Sequence, residues 1–179
     1  MPGRDERERW ARSEPVLALL VAFCGLLPSH VRGQDALRLI GTEGTALEQA
    51  VTEAAQEAQR KLALPSCRLV FSDFRSVDGH RLAENLDRLG QDAQTYFRGL
   101  DFYDGYGRPI CATRDILAST IPGSRAVFVC SAQFVDKSHG DRGLAAVLLI
   151  HEELHALGLG ENPPSSREIT QRVIQRCGK

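Results

Sequence analysis

Apolar and polar positions change period several times along the chain, and each change marks an element. From Thr45 to Ala63, Leu47, Ala50, Val51, Ala54, Ala58 and Leu62 recur at helical spacing, opposite Glu48, Glu53, Glu57, Arg60 and Lys61. That pattern predicts an amphipathic helix packed by one face, closed by Pro65. Arg68 to Phe74 is rich in bulky and β-branched residues and reads as a first strand. Arg81 to Leu89 predicts a short helix ended by Gly90. From Thr95 to Thr113, the aromatics Tyr96, Phe97, Phe102 and Tyr103 flank Asp104-Gly105-Tyr106-Gly107, the pattern of a hairpin with a glycine-containing turn. Pro122-Gly123-Ser124 introduces a further strand, Ala126 to Cys130.

Asp136 to Gly143 is polar and reads as a loop, after which Leu144 to Ile150 runs apolar almost without a break. Such a run predicts a buried helix that continues through His151 to His155. Pro163 and Pro164 interrupt it downstream, and Ser165 with Glu168 forms a capping-box signature ahead of Ile169, Val173 and Ile174. A second amphipathic helix therefore ends the chain. The order helix, strand, helix, hairpin, strand, buried helix, helix is that of an α+β fold.

Composition divides the 179 residues at about position 33. Residues 1–33 read as a signal peptide, with an apolar run from Val16 to Leu27 and small-residue character near Gly33. The run is shorter than the roughly 20 apolar residues of a membrane span, so no stable span is expected. The charges before it are mixed, Arg4, Arg7, Arg9 and Arg12 against Asp5, Glu6, Glu8 and Glu14, whereas a leader ordinarily starts net positive. Residues 34–179 have the length of one domain. A net charge of −1, with no basic stripe, excludes nucleic acid as a partner class. The expected localisation is secreted or periplasmic, and the expected state a monomer.

Beyond the leader, Cys67, Cys111, Cys130 and Cys177 remain. An even set in an exported chain predicts two disulfides. Three connectivities are open, of which Cys111 with Cys130 and Cys67 with Cys177 is preferred. No CxxC pair is present to suggest a thiolate metal site.

The chemistry is concentrated at His151-Glu152-Glu153-Leu154-His155. Residues four apart share one face of a helix, so both imidazoles can reach one metal ion while Glu152 stands beside them. Zinc suits imidazole and carboxylate ligands and in catalytic sites keeps a position open for water. Glu152 is then the expected catalytic base, taking a proton from zinc-bound water and passing it to the leaving amine. Gly158 follows three residues after His155, and Glu161 three after that. His30, His80 and His139 lie outside the motif, and the transition-state oxyanion donor is not identified, with His139, Tyr103 and Tyr106 as candidates.

His151-Glu152-x-x-His155-x-x-Gly158-x-x-Glu161 resembles the extended zinc signature of the metzincin metallopeptidases, and His155-Ala156-Leu157-Gly158-Leu159 is similar to its matrixin form. The resemblance covers about Leu144 to Glu161. It implies a small zincin-like domain: a backing helix, a mixed β-sheet, an active-site helix and a short C-terminal helix. It also implies a glycine that ends the active-site helix and turns a third ligand onto the metal. That ligand is usually His or Asp, and here it is Glu161. A methionine turn beneath the metal also belongs to the pattern, and the only methionine is Met1. In the related gluzincins a glutamate on a following helix completes the site, which keeps Glu168 open beside Glu161 as third ligand.

The expected function is an exported zinc-dependent peptidase acting on a peptide or protein substrate, with His151, His155 and Glu161 on Zn2+ and Glu152 as base. An edge strand, either Arg125 to Val129 or part of the Thr95 to Thr113 hairpin, would hold the substrate by β-augmentation. The alternative is a non-catalytic secreted interaction module with a structural zinc site.

Overall fold

A computed structural model of the protein describes residues 37–42 and 45–178. The expected signal peptide lies outside them. The first strand, β1 (Arg38–Ile40), leads into α1 (Ala46–Leu62), α2 (Pro65–Arg68), α3 (Val70–Asp73), α4 (Leu82–Leu89) and α5 (Ala93–Arg98). Then come β2 (Asp101–Asp104), a 3-10 turn (Pro109–Ala112), β3 (Ala118–Thr120), β4 (Ala126–Val129), α6 (Ser131–Gly140), α7 (Arg142–Ala156) and α8 (Ser166–Cys177). The fold is α+β with a four-stranded mixed sheet in the order β1-β2-β4-β3. β1, β2 and β4 run parallel, while β3 lies antiparallel to β4.

The amphipathic pattern of α1 is realised directly. Thr45 caps it by accepting from Glu48 N, and Leu47, Ala50, Val51, Ala54, Ala58 and Leu62 are buried. That stripe packs on α6 and α7, and the inward strand residues Phe102, Val127 and Val129 join the same core. Gly90 adopts the left-handed conformation expected of a helix-ending glycine, with φ 62°. Pro122 and Gly123 make the β3–β4 turn, Ser124 N donating to Ile121 O at 2.9 Å with Gly123 at φ 81°.

Three expectations are corrected. Arg68 to Phe74 is not a strand: its buried positions Val70 and Phe71 continue a helical stripe from Cys67, and Pro65 opens a short helix by filling a position that needs no N–H donor. The Thr95 to Thr113 hairpin is absent. Asp92 accepts from Thr95 N at 2.7 Å and starts α5, burying Tyr96 and Phe97, so that the chain has room for only β2 before the 3-10 turn. β2 instead pairs with β1 and β4, which lie far away in sequence. Asp136 to Gly143 is not a loop either, because Phe134 and Ser138 share a buried face that turns α6 against α1 and α7.

The disulfides take the preferred connectivity, Cys67–Cys177 and Cys111–Cys130. The first ties α8 to α2. Arg176 grips Asp73 with two hydrogen bonds, 2.7 and 2.9 Å, and Arg172 lies 3.3 Å from the same carboxylate. These hydrogen bonds and charges hold the Asp73 carboxyl below its ordinary range and fix α8 against α3. Among the described residues no helix is long and apolar enough to cross a membrane.

Candidate metal centre and cleft

Helix α7 places the motif in the interior. Asp141 caps it, accepting from Leu144 N at 2.9 Å, and every residue from Leu149 to Ala156 is buried. Helix periodicity then puts His151 and His155 side by side, with ring centroids 4.8 Å apart and Nε2 atoms 2.9 Å apart. The helix ends at Ala156, and the chain turns at Gly158, whose φ of 102° suits glycine and little else. A Cβ there would sit 3.1 Å from Ser76 Cβ. The turn is held from outside the helix: Val77 N donates to Gly158 O, and the Asn85 side-chain amide donates to Leu157 O, both at 2.9 Å.

This turn brings Glu161 back over the helix end. Its Oε1 lies 3.3 Å from His155 Nε2 and 3.7 Å from His151 Nε2. Among the described residues, His151, His155 and Glu161 form the cluster able to hold a metal ion, their donor atoms all within 4.8 Å of one another. Glu168 is engaged elsewhere. It accepts from Ser165 N at 2.8 Å and Ser165 Oγ at 2.7 Å, completing the capping box of α8, and these bonds lower its pKa.

The donor set fits a small divalent ion. His155 Nδ1 lies 2.7 Å from the Leu159 carbonyl, which can only accept, so Nδ1 carries the proton and Nε2 presents a lone pair in the neutral ring. His151 Nδ1 is held 2.9 Å from the Thr170 hydroxyl on α8. Burial, reinforced by His155, pushes His151 down to a pKa of about 3, so the ring is neutral at ordinary pH. The facing Nε2 atoms of the two rings can share a proton or accept a common cation. Donors about 2.0–2.1 Å from a tetrahedral ion stand about 3.3 Å apart. The observed separations of 2.9, 3.3 and 3.7 Å bracket that spacing.

Glu152 lies at the base of the cleft. Burial raises its pKa to about 8, with Glu161 adding to the shift. Neither Glu152 Oε2 nor Thr120 Oγ1 completes a hydrogen bond within the described chain. The cleft itself, about 390 Å³, is lined by His151, Glu152, His155 and Leu148 of α7, by Glu161 and Ser166, and by a wall running from Asp115 to Thr120, with Ile110 and Pro122 at its margins.

That wall corrects the expected substrate edge. Ala126–Val129 and Asp101–Asp104 are interior strands, each paired on both sides, whereas among the described residues β3 has only β4 as a sheet neighbour. The free edge beside the motif is therefore Ala118–Thr120, too short and too weakly patterned to register as a strand in isolation. His139, Tyr103 and Tyr106 do not line the cleft, nor does His80. Thr120 and Thr170 were not singled out by sequence, since a lone threonine carries no spacing signal. Compared with protein-family models, curated proteins and solved structures, the chain matches none.

Proposed function

We propose that the protein is an exported zinc-dependent peptidase of zincin type. The observation that carries this reading is convergence: two imidazoles, a carboxylate and a separate glutamate whose Oε2 lacks a hydrogen-bond partner among the described residues meet in one cleft, beside the free edge of the sheet. His151, His155 and Glu161 would hold the zinc. When bound, zinc supplies Lewis-acid polarisation and lowers the pKa of water. Thr170 and the Leu159 carbonyl orient the two rings through their Nδ1 atoms, the outer-shell role on which ligand geometry depends.

Glu152 acts as general base and then general acid. It takes a proton from water on a carboxylate oxygen and delivers it to the departing amine. Its buried setting favours uptake of that proton, and Glu152 would ionise more readily beside a zinc ion held by His151, His155 and Glu161. The β3 edge receives an extended peptide as an added strand, its backbone groups aligning the scissile bond with Glu152. Two disulfides suit an oxidising compartment and so fit an exported protein.

A structural-zinc module is the second reading. It is favoured by the hydrogen bond from α7 to Thr170 on α8, because a metal here would fasten those helices together. The open cleft and the placement of Glu152 weigh towards hydrolysis, since a purely structural site needs neither. The test is metal analysis of the purified mature protein together with digestion of a peptide mixture by the parent and by Glu152→Gln. The variant should keep stoichiometric zinc and lose hydrolysis. Parental activity in Glu152→Gln would remove Glu152 as base, and absence of bound metal in the parent would remove the zinc reading altogether.

A further inference from the structure

The two disulfides divide the site between them. Cys67–Cys177 anchors α8, which carries Thr170 and thereby supports the histidines. Cys111–Cys130 spans a separation of only 19 residues, and within that ring lies the cleft wall from Asp115 through β3 to Pro122. Cys130 directly follows β4, and its backbone N–H donates to the Leu117 carbonyl at 2.9 Å. Cys111 ends up against the sheet: a Cβ on Gly105 would stand 2.8 Å from its sulfur and 2.9 Å from the Val129 carbonyl. Gln133 of α6 also donates to the Cys111 carbonyl, at 2.7 Å. Between Cys111 and β3 the segment Ala112–Asp115 is exposed. The sulfur bridge is thus the covalent link that seats the approach to β3 on the domain.

The bonds also differ in access. Cys67, Cys177 and Cys130 are fully buried, whereas Cys111 is partly exposed. We propose that Cys111–Cys130 is the positioning element of the substrate wall, and that a dithiol reductant weakens peptide binding by opening it while leaving the metal-binding half intact. This rests on the peptidase reading above. A thiolate of the reductant attacks Cys111 Sγ, the S–S bond breaks, and Cys130 leaves as a thiolate that takes a proton from water. The second thiol of the reductant then attacks the mixed disulfide, releasing Cys111 as a thiol. The protein gains two electrons and two protons, and the reductant leaves as its own disulfide.

The experiment begins with graded dithiothreitol on the zinc-loaded mature protein, followed by alkylation and peptide mass mapping. Cys111 and Cys130 should be labelled before Cys67 and Cys177. Simultaneous labelling of all four would mean global opening and overturn the proposal. For the Cys111→Ala/Cys130→Ala double variant, KM for a peptide substrate should rise at least tenfold with kcat within about threefold, zinc content should stay at the parental level, and reoxidation should restore the reduced parent. A parental KM, or parallel loss of zinc, would refute a role confined to the wall.

Backbone hydrogen exchange, in the reduced parent and in the double variant, separates this proposal from the reading it rests on. Protection should fall across residues 113–120 and stay unchanged across 144–156. If the parent hydrolyses no peptide, the peptidase reading fails, and the exchange pattern alone decides whether the bond holds the wall. Loss of protection in both segments, or in neither, overturns it.

Discussion

Glu153 sits between the two motif histidines yet does not line the cleft. It is 0% exposed, and both carboxylate oxygens lack a hydrogen-bond partner among the described residues. Burial, with Asp92 pushing the same way, raises its pKa well above the ordinary 4.5. Replacing it with leucine removes an unpartnered buried polar group, worth about 1–3 kcal/mol, at a repacking cost below about 1.5 kcal/mol. Glu153→Leu should therefore stabilise the metal-free protein even at low pH, where the carboxyl is neutral in both folded and unfolded chains. The pH dependence has a definite sign. A carboxyl whose folded pKa is raised contributes its full stability below 4.5 and loses it as pH climbs above that value. While the folded chain keeps the proton and the unfolded chain has released it, the loss is about 1.4 kcal/mol per pH unit. As pH rises above 5 the advantage of Glu153→Leu over the parent should therefore widen. For a domain of this size each kcal/mol moves Tm by about 3–4 °C. Urea unfolding followed by circular dichroism, with chelator present, measures both quantities. Glu152 titrates in parent and variant alike, so the difference isolates Glu153. Glu153→Gln supplies the control: it should abolish the widening but keep the low-pH penalty, since an amide leaves buried polar atoms without partners. A pH-independent gap, or a leucine variant less stable than the parent at every pH, would refute the reasoning.

Glu161→Ala should lose most bound zinc with little change in stability, while Glu168→Ala should keep zinc and lose about 1 kcal/mol through its cap; metal analysis and urea titration check the pair, and the reverse outcome would make Glu168 the ligand. Thr170→Val keeps the side-chain shape but removes the oxygen beside His151 Nδ1, so zinc affinity by chelator competition should fall about 10- to 100-fold, and unchanged affinity would dismiss that contact. Gly158→Ala must adopt φ near 102° with its Cβ against Ser76, costing about 1–3 kcal/mol and weakening zinc binding as the Glu161 turn shifts; a neutral thermal midpoint would show that the turn relaxes freely.

What the sequence by itself determined is local. The i, i+4 spacing of His151 and His155, the Gly158 stop, the Ser165–Glu168 cap and the α1 stripe each depend on neighbours within a turn or two of the chain. These features were legible because helix geometry converts spacing directly into direction. The α+β class followed from the alternation of such elements. Elsewhere, composition alone misled: Val70 and Phe71 suit a strand, but the helical stripe through Cys67 and its bond to α8 decide otherwise. Tyr96, Phe97, Phe102 and Tyr103 look like one hairpin, yet the Asp92 cap assigns the first pair to a helix and parallel pairing assigns the second to an interior strand. Only tertiary structure sets Glu161 beside the two histidines and Glu168 in the α8 cap, because the path of the chain after Gly158 depends on contacts from Val77 and Asn85, more than 70 residues upstream of the turn they hold. Strand order is decided in the same way. β3 is an edge because β2 and β4 pair across the sheet, and no residue within Ala118–Thr120 records that. Spacing on a helix is short-range and survives in sequence, whereas the cleft wall is assembled by distant pairing and a sulfur bridge, which appear only once the chain has closed on itself.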